Sequence, residues 1–347
     1  MWSGTSPFAI KPRFDWALWK WLIAFAGACR EEKVRQSIPV LRDLTFQSLA
    51  LYSELCASGD VKCDLTNNGS LMVFATQEGL REGQREAGLL GKFGITSEIW
   101  TRQQTLQSES QIRSNIAGSI FYPQDAQISP ADFVESLSKA AQQMNATILS
   151  GTQVTGFRLD GDTISAVQTT NGDFRPKIVI LAAGAHSAVL ASTFGLRLPI
   201  EAGKGYSFSV SSDHFCPSRA LLLSEEKVAV TPFGARTRFG GTLELSGLNS
   251  TIDVGRLIAI RQSAGRYLSV SLPTSVDEEW TGLRPCTPDG LPIISRVPEV
   301  RNLVVAGGHA MLGVSLGPIS GKLAAQLALD RQPELDINPL RLERFRA

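Results

Sequence analysis

Hydrophobic positions in the first third of the chain recur at helical spacing, and in the remainder they form short runs broken by glycine. The stretch from Trp16 to Cys29 is apolar, is preceded by Asp15 and is interrupted by Lys20. It ends in small residues, as signal peptides do, but it is too short to span a bilayer. It reads as an amphipathic helix packed on the protein, with peripheral membrane contact through its tryptophans as the alternative. Gln36 to Leu55 reads as a second helix. Cys63 to Thr76 reads as two strands joined at Asn67-Asn68-Gly69, a hairpin signal. Glu78 to Gly91 reads as a polar helix and Ile116 to Tyr122 as a strand. A further helix, capped by Ser129 or Asp132, runs to about Met144.

Strand-like runs then follow at Ala146–Leu149, Val154–Phe157, Thr163–Thr170 and Lys177–Ala183, the last three separated by turns at Asp160-Gly161-Asp162 and Asn171-Gly172. From Lys204 to about Leu245 the pattern is β-rich, and Asp253 to Leu268 reads as a helix. Two stretches have a different grammar. Lys177 to Ser187 and Asn302 to Ala325 each contain a buried-type strand, a glycine turn and a helix start. In that order, backbone N–H groups point at a ligand. In the second stretch Gly313, Ser315, Gly317, Ser320 and Gly321 are small enough for a flat ring to approach the backbone. Proline is best tolerated in a first helical turn, so Pro318 puts the start of that helix near Val314 to Leu316. Strands inserted between the two units imply a second lobe, and 347 residues are enough for two.

Composition narrows the function. A net charge of +1 with 19% charged residues carries no polyanion-binding signature, so nucleic acid is not an expected partner. Cys29, Cys56, Cys63, Cys216 and Cys286 form no CxxC pair and read as reduced thiols of a cytosolic protein. His186, His214 and His309 lack clustered ligand spacing, so no metal site is expected.

Candidate chemistry concentrates near the C-terminus. Trp280 opens W-x-G-x-R-P-x-T-P-D-G-x-P, and Asn302 opens N-L-x-x-A-x-G-H-x-M-L-G. The arginine of the first, Arg284, suits a planar carboxylate, which a guanidinium binds through two parallel charge-assisted hydrogen bonds. Asp289 and Gly290 read as a turn. Together and in this order, the motifs resemble the flavin-dependent D-amino-acid dehydrogenase and glycine/sarcosine oxidase family (D-amino-acid oxidase-like).

That resemblance implies FAD as cofactor and an α/β fold. One lobe would be a Rossmann-like FAD-binding domain of the glutathione-reductase type, spanning residues 1–61, 117–199 and 276–347. The other would be an α+β substrate lobe on a mixed or antiparallel sheet, spanning 62–116 and 200–275. It implies that Arg284 anchors the substrate carboxylate. Gly308, His309, Met311, Leu312, Gly313 and Val314 would face the flavin, where a helix N-terminus stabilises negative charge. Val154 would contact the adenine through its backbone, and Ala182, Ala183 and Gly184 would lie beside the cofactor. His309 is a candidate general base or a backbone-positioning residue. Tyr206, in the family-like run Lys204-Gly205-Tyr206-Ser207, and Tyr52 are candidate pocket-lining residues.

The implied reaction is oxidative deamination of an amino acid, most readily a D-amino acid, by hydride transfer from Cα to flavin N5. Oxidation of glycine, sarcosine or proline-type amines is the alternative. The implied partners are an amino-acid substrate and a quinone or other electron-transfer acceptor, with the protein cytoplasmic and peripheral on the inner membrane. The family's opening strand, G-x-G-x-x-G turn and ribose-binding acid about 20 residues later have no counterpart. Ser6 to Arg13 resembles a segment beyond that turn. The expectation is therefore an incomplete dinucleotide-binding unit, either because the true start lies upstream or because the product is a silent remnant or interaction subunit.

Overall fold

The computed structural model describes residues 6–61 and 63–346. The first half of the chain forms β1 (Phe8–Ile10), α1 (Trp16–Ala28), α2 (Glu31–Ala57), β2 (Ser70–Phe74), α3 (Gln77–Gly91), β3 (Glu98–Thr101), α4 (Arg102–Ser108), β4 (Gly118–Tyr122) and α5 (Pro130–Gln143). Then come β5 (Val154–Asp160), β6 (Thr163–Thr169), β7 (Gly172–Phe174), β8 (Val179–Leu181), α6 (Ser187–Ser192), β9 (Glu201–Ser211), β10 (Ala220–Leu223), β11 (Val228–Phe233) and β12 (Arg236–Leu245). The chain closes with α7 (Val254–Gly265), β13 (Glu278–Cys286), β14 (Ile293–Val297), β15 (Val300–Gly307) and α8 (Gly313–Ala328). It divides into two compact units. One comprises residues 1–11, 62–134 and 204–282, the other 12–61, 135–203 and 283–347.

The first unit is built on one mixed sheet in the order β13-β9-β12-β11-β10-β2-β4-β3, with β1 added in parallel to β12. Its core lies between this sheet and α7. Tyr206, Phe208 and Val210 of β9 alternate inward to meet Phe239, Leu257, Ile260 and Tyr267, the period-2 pattern of a strand with one face on the core. On β2 and β4, Phe74 and Ile120 pack against Leu80 and Ala87 of α3. The hairpin expected at Asn67–Gly69 does not form. Gly69 does adopt the left-handed conformation, with φ of +74°, but its N–H is bonded to Asp125 O at 3.0 Å. The strand that follows pairs with distant β4 and β10 in place of its neighbour. This pairing also carries residues 117–134 into the first unit, away from the stretches with which the sequence grouped them.

The second unit is layered around a three-stranded sheet, β14-β15-β8, in which β8 and β15 run parallel. Both faces of the sheet are covered, which is why Leu303, Val304 and Val305 form an unbroken apolar run. Leu303, Val305 and Ile293 face a cluster with Ile164, Leu181 and Ala191. Val304 and Ile294 face α8 and α2 through Leu316, Ile319, Leu323 and Leu44. A second, antiparallel sheet, β5-β6-β7, is tied to β15 by one buried side chain. Asn302 accepts from Ile164 N at 2.8 Å and donates to Ile164 O at 2.9 Å and Lys177 O at 3.3 Å.

Several expectations change. Ala146–Leu149 is irregular and exposed, without a strand. Helix α8 starts at Gly313, which leaves Pro318 in its second turn. Cys56 and Cys63 are disulfide-bonded, while Cys29, Cys216 and Cys286 are free thiols. Helix α1 buries Leu18 and Trp21 and is capped by the Asp15 carboxylate, which accepts from Ala17 N and Leu18 N. Its other face leaves Trp16, Trp19 and Ile23 exposed.

Replacing Asn302 by Leu should lower stability by about 2–4 kcal/mol, because buried backbone groups of Ile164 and Lys177 lose their partners without gaining water. Equilibrium urea unfolding checks this. An unchanged midpoint would show that the two sheets do not depend on this side chain.

Candidate active site

The parallel pair β8 and β15 is the frame of the candidate site. Val305 lies opposite Leu181, so the two strands end at the same edge and each passes into a glycine turn and a helix. After β8 come Ala182, Ala183 and Gly184, the last with φ of +57°. After β15 come Gly308 to Leu312 and then α8. The carboxyl edge of parallel strands is where open α/β sheets bind ligands. Val154 lies elsewhere, at the start of β5 in the antiparallel sheet and paired with Thr169.

The turn after β15 is tightly specified. Gly308 has φ of +78°, and a Cβ there would stand 2.5 Å from Thr287 Cγ2, so only glycine fits. Ala310 is left-handed too, with φ of +47°, an uncommon state for a residue with a side chain. The turn holds because it is bonded sideways to the segment carrying Arg284. Ala310 N donates to Pro285 O at 2.7 Å, and Cys286 and His309 form an isolated antiparallel bridge. Trp21 Nε1 donates to Cys286 O at 3.0 Å, anchoring the same segment to α1. The two motifs of the sequence, some 20 residues apart, thus become one packed unit.

Arg284 is partly buried, and burial pushes its guanidinium below the ordinary value; it stays charged at neutral pH. His309 Nε2 is 2.8 Å from Ser320 Oγ. Burial lowers its pKa to about 4, which leaves the imidazole neutral at pH 7. Asp289 is bound by Arg344, at 2.7 Å from Nε and 3.1 Å from Nη2, and accepts from Leu291 N. Together with Gly290 at φ +75°, this makes a turn.

The entrance of α8 is open. Leu312 is its N-cap, no side chain caps it, and its first turn holds no acidic residue. Leu316 N closes the first backbone bond onto Leu312 O at 2.8 Å. The amides of Gly313, Val314 and Ser315 precede the first residue whose N–H can bond within the helix, and so are available to an acceptor. Met311 is 71% and Val314 44% exposed, while an added Cβ at Gly313 or Gly317 would meet nothing nearer than 3.9 Å and at Gly321 nothing within 4 Å. A flat, polar-edged ring system such as a flavin fits this combination of unfilled amide donors and a low, apolar surface.

The two tyrosines are committed to other partners. Tyr206, in the first unit, gives its hydroxyl to Glu244 Oε2 at 3.2 Å. That buried carboxylate also faces Lys11, Lys204 and Arg256. Burial first, then the Glu244 charge, raise the Tyr206 phenol well above its ordinary value. Tyr52, in the second unit, gives its hydroxyl to Val314 O at 2.6 Å. Sequence reasoning singles out Ser320 only for its small size and gives Trp21 no role at the site, so the bonds both make here are new. The only signal for either was the generic one, that a buried indole N–H or hydroxyl needs a partner.

Comparison with known proteins identifies the family. Residues 17–327 match the family model described as DAO, FAD dependent oxidoreductase. The D-amino acid dehydrogenase of Cereibacter sphaeroides is 30% identical, over 99% of this chain and 79% of its own length. That of Granulibacter bethesdensis is 28% identical, over 98% of this chain and 82% of its own. The chain thus spans about four-fifths of these relatives. Among solved structures, glycine oxidase from Geobacillus kaustophilus superposes with a TM-score of 0.80 at 25% identity, covering 89% of this chain and 83% of that one. With residues 17–327 of its 347 matched by the family model, this chain belongs to the DAO family of FAD-dependent oxidoreductases.

Proposed function

We propose that the chain oxidises a D-amino acid to the corresponding imino acid, which water converts to a keto acid and ammonia. The observation that carries this reading is the bonding of the Arg284 segment to the glycine turn, through Ala310 N to Pro285 O and the Cys286–His309 bridge. It holds a carboxylate-binding cation on the same rigid unit as the open amides of α8. The amides and low surface of Gly308 to Val314, with Ala182 to Gly184 on the neighbouring strand, would hold the flavin, and Val154 the adenine. FAD, when bound, supplies the hydride acceptor for the Cα–H bond.

The protein's own part is orientation. Arg284 takes the substrate carboxylate bidentately and limits rotation about Cα, so the choice of enantiomer falls to whatever space remains for the side chain. The amine must be neutral to give up hydride from Cα, and its proton leaves to solvent. His309, neutral and bonded to Ser320, positions the turn and does not take up a second proton at neutral pH. The glycine-oxidase neighbour supports a second reading, in which a small amine acid such as glycine is oxidised at the expense of oxygen. Oxygen uptake during turnover distinguishes it from transfer to a quinone or other electron carrier.

Among the described residues no helix is long and apolar enough to cross a membrane. Peripheral attachment on the cytoplasmic face belongs to the same proposal. Helix α1 presents Trp16, 74% exposed, and Ile23, 72% exposed, with Trp19 between them. Cosedimentation with anionic lipid vesicles should be lost in a Trp16→Ala/Trp19→Ala variant, and equal sedimentation would count against the attachment.

Replacing Arg284 by Lys should reduce kcat/KM for D-amino acids roughly 100-fold, mainly through KM, since one of two charge-assisted bonds is lost along with the planar fork. A panel of D- and L-amino acids, read by anaerobic bleaching of bound flavin, tests reading and role together. Bleaching by no D-amino acid would sink the proposal.

The pH dependence of stability follows from His309. Its folded pKa, about 4, lies below the unfolded value of about 6.5. Between those values the unfolded chain binds the extra proton, so stability falls as pH drops from 6.5 to 4 and His309 contributes no further change below that. His309→Gln, which can still bond Ser320, should show a flatter thermal midpoint across that window. Identical slopes for the two chains would mean that the imidazole is not held neutral.

A further inference from the structure

We infer that Tyr52 is a positioning residue for the cofactor-facing end of α8, supplying the hydrogen bond that Pro318 removes. This extends the reading of that helix end as the flavin site and rests on it.

In an unbroken α-helix the carbonyl of each residue accepts from the N–H four residues later. Four residues after Val314 stands Pro318, inside α8. Proline has no N–H, and its ring crowds the carbonyl four residues back. Val314 O is therefore denied its helical donor within the first turn, among the open amides. The Tyr52 hydroxyl, from α2, donates to that oxygen at 2.6 Å. Tyr52 is only 5% exposed, so packing holds its ring where the hydroxyl meets this carbonyl. Burial holds the phenol pKa up at about 12, and the hydroxyl remains a donor at any pH the protein meets.

The entrance of α8 gains a lateral restraint from this arrangement. It lacks a side-chain cap, and its first turn is joined to the preceding loop by Leu316 N to Leu312 O. The bond to Tyr52 fixes the residue whose own amide and exposed side chain would lie against the ring. The proline that weakens the helix thus turns one of its carbonyls into an attachment point, and α2, packed along α8 through Leu44, Leu316 and Ile319, occupies it.

The test is a four-chain cycle on the full-length chain: wild type, Tyr52→Phe, Pro318→Ala and the double variant. Amide exchange in the peptide covering residues 311–317 and FAD affinity by quenching of flavin fluorescence are read for each. Tyr52→Phe should speed exchange there and weaken FAD binding roughly tenfold. In the Pro318→Ala background the new amide can take over Val314 O, so the same Tyr52 change should cost less than about twofold by the same reasoning. Equal losses in both backgrounds would overturn the inference, because the hydroxyl would then act elsewhere. Faster exchange with unchanged FAD affinity would overturn the cofactor-positioning role. A wild-type chain that takes up no FAD would overturn the flavin reading of this helix end, and the exchange cycle alone would then decide whether the hydroxyl replaces the missing helix bond.

Discussion

The hydrogen bond from Ala310 N to Pro285 O is the contact on which the candidate site depends. It forms only if the chain leaving β15 turns back at once onto the end of β13, and that turn needs two departures from ordinary backbone geometry. Gly308 takes a left-handed conformation against Thr287 with no room for a Cβ. Ala310 takes another at φ +47°, at a cost of about 1–2 kcal/mol. A strained residue persists only where its surroundings over-determine it. Here the surroundings are the Cys286–His309 bridge on one side and the Trp21 indole on Cys286 O on the other. The strain and the bonds that hold it make Arg284 and the α8 entrance parts of one rigid unit.

The same economy runs through α8. A helix that begins at a ligand site cannot use a capping side chain, because the cap would occupy the amides the ligand needs. Nor does α8 draw on acidic residues in its first turn, which would compete with an anionic or electron-rich ligand for the dipole. Its stability therefore comes from the buried face, where Leu316, Ile319, Leu323 and Leu327 pack against β14, β15 and α2, and from Tyr52. Propensity would not suffice, since Gly313, Gly317, Pro318 and Gly321 are all poor helix formers. Tertiary packing carries a sequence that would not be helical by itself.

This explains what was legible in the sequence. The two strand–glycine–helix units were visible because parallel strands covered on both faces read as unbroken apolar runs and their turns demand glycine. Their side-by-side pairing follows from the parallel register of Leu181 with Val305. The bounds of α8 were less legible. Pro318 by itself points to a first turn, yet it sits one turn further in because an external hydroxyl stands in for its missing amide. Such compensation comes from a residue 262 positions away, and no local pattern announces it. The Asn67–Gly69 hairpin failed for a related reason. Gly69 supplies the left-handed turn, but Asp125 O and the edges of β4 and β10 bind the strand that follows more fully than a neighbouring strand would. Neither the family-like run around Tyr206 nor the residue type of Tyr52 shows where a hydroxyl bonds, and tertiary contacts decide both partners.

Burial also sorts the charges of the site. It acts in the same direction on both nitrogen bases of the unit, lowering His309 to about 4 and drawing Arg284 down as well. The consequences differ because the starting points differ. An imidazole that begins near 6.5 becomes neutral, whereas a guanidinium that begins above 12 cannot be discharged by any burial this fold provides. Cys286, two residues from Arg284, is moved the other way, up to about 11, and so offers no thiolate to neutralise the arginine. The result is a unit with one full positive charge at Arg284 and a partial one at the start of α8. Partly desolvated, both act through a lower dielectric than water and gain strength accordingly. A carboxylate at the first and a ring acquiring negative charge at the second are the species such a field favours, and the desolvation that strengthens the field also keeps His309 neutral.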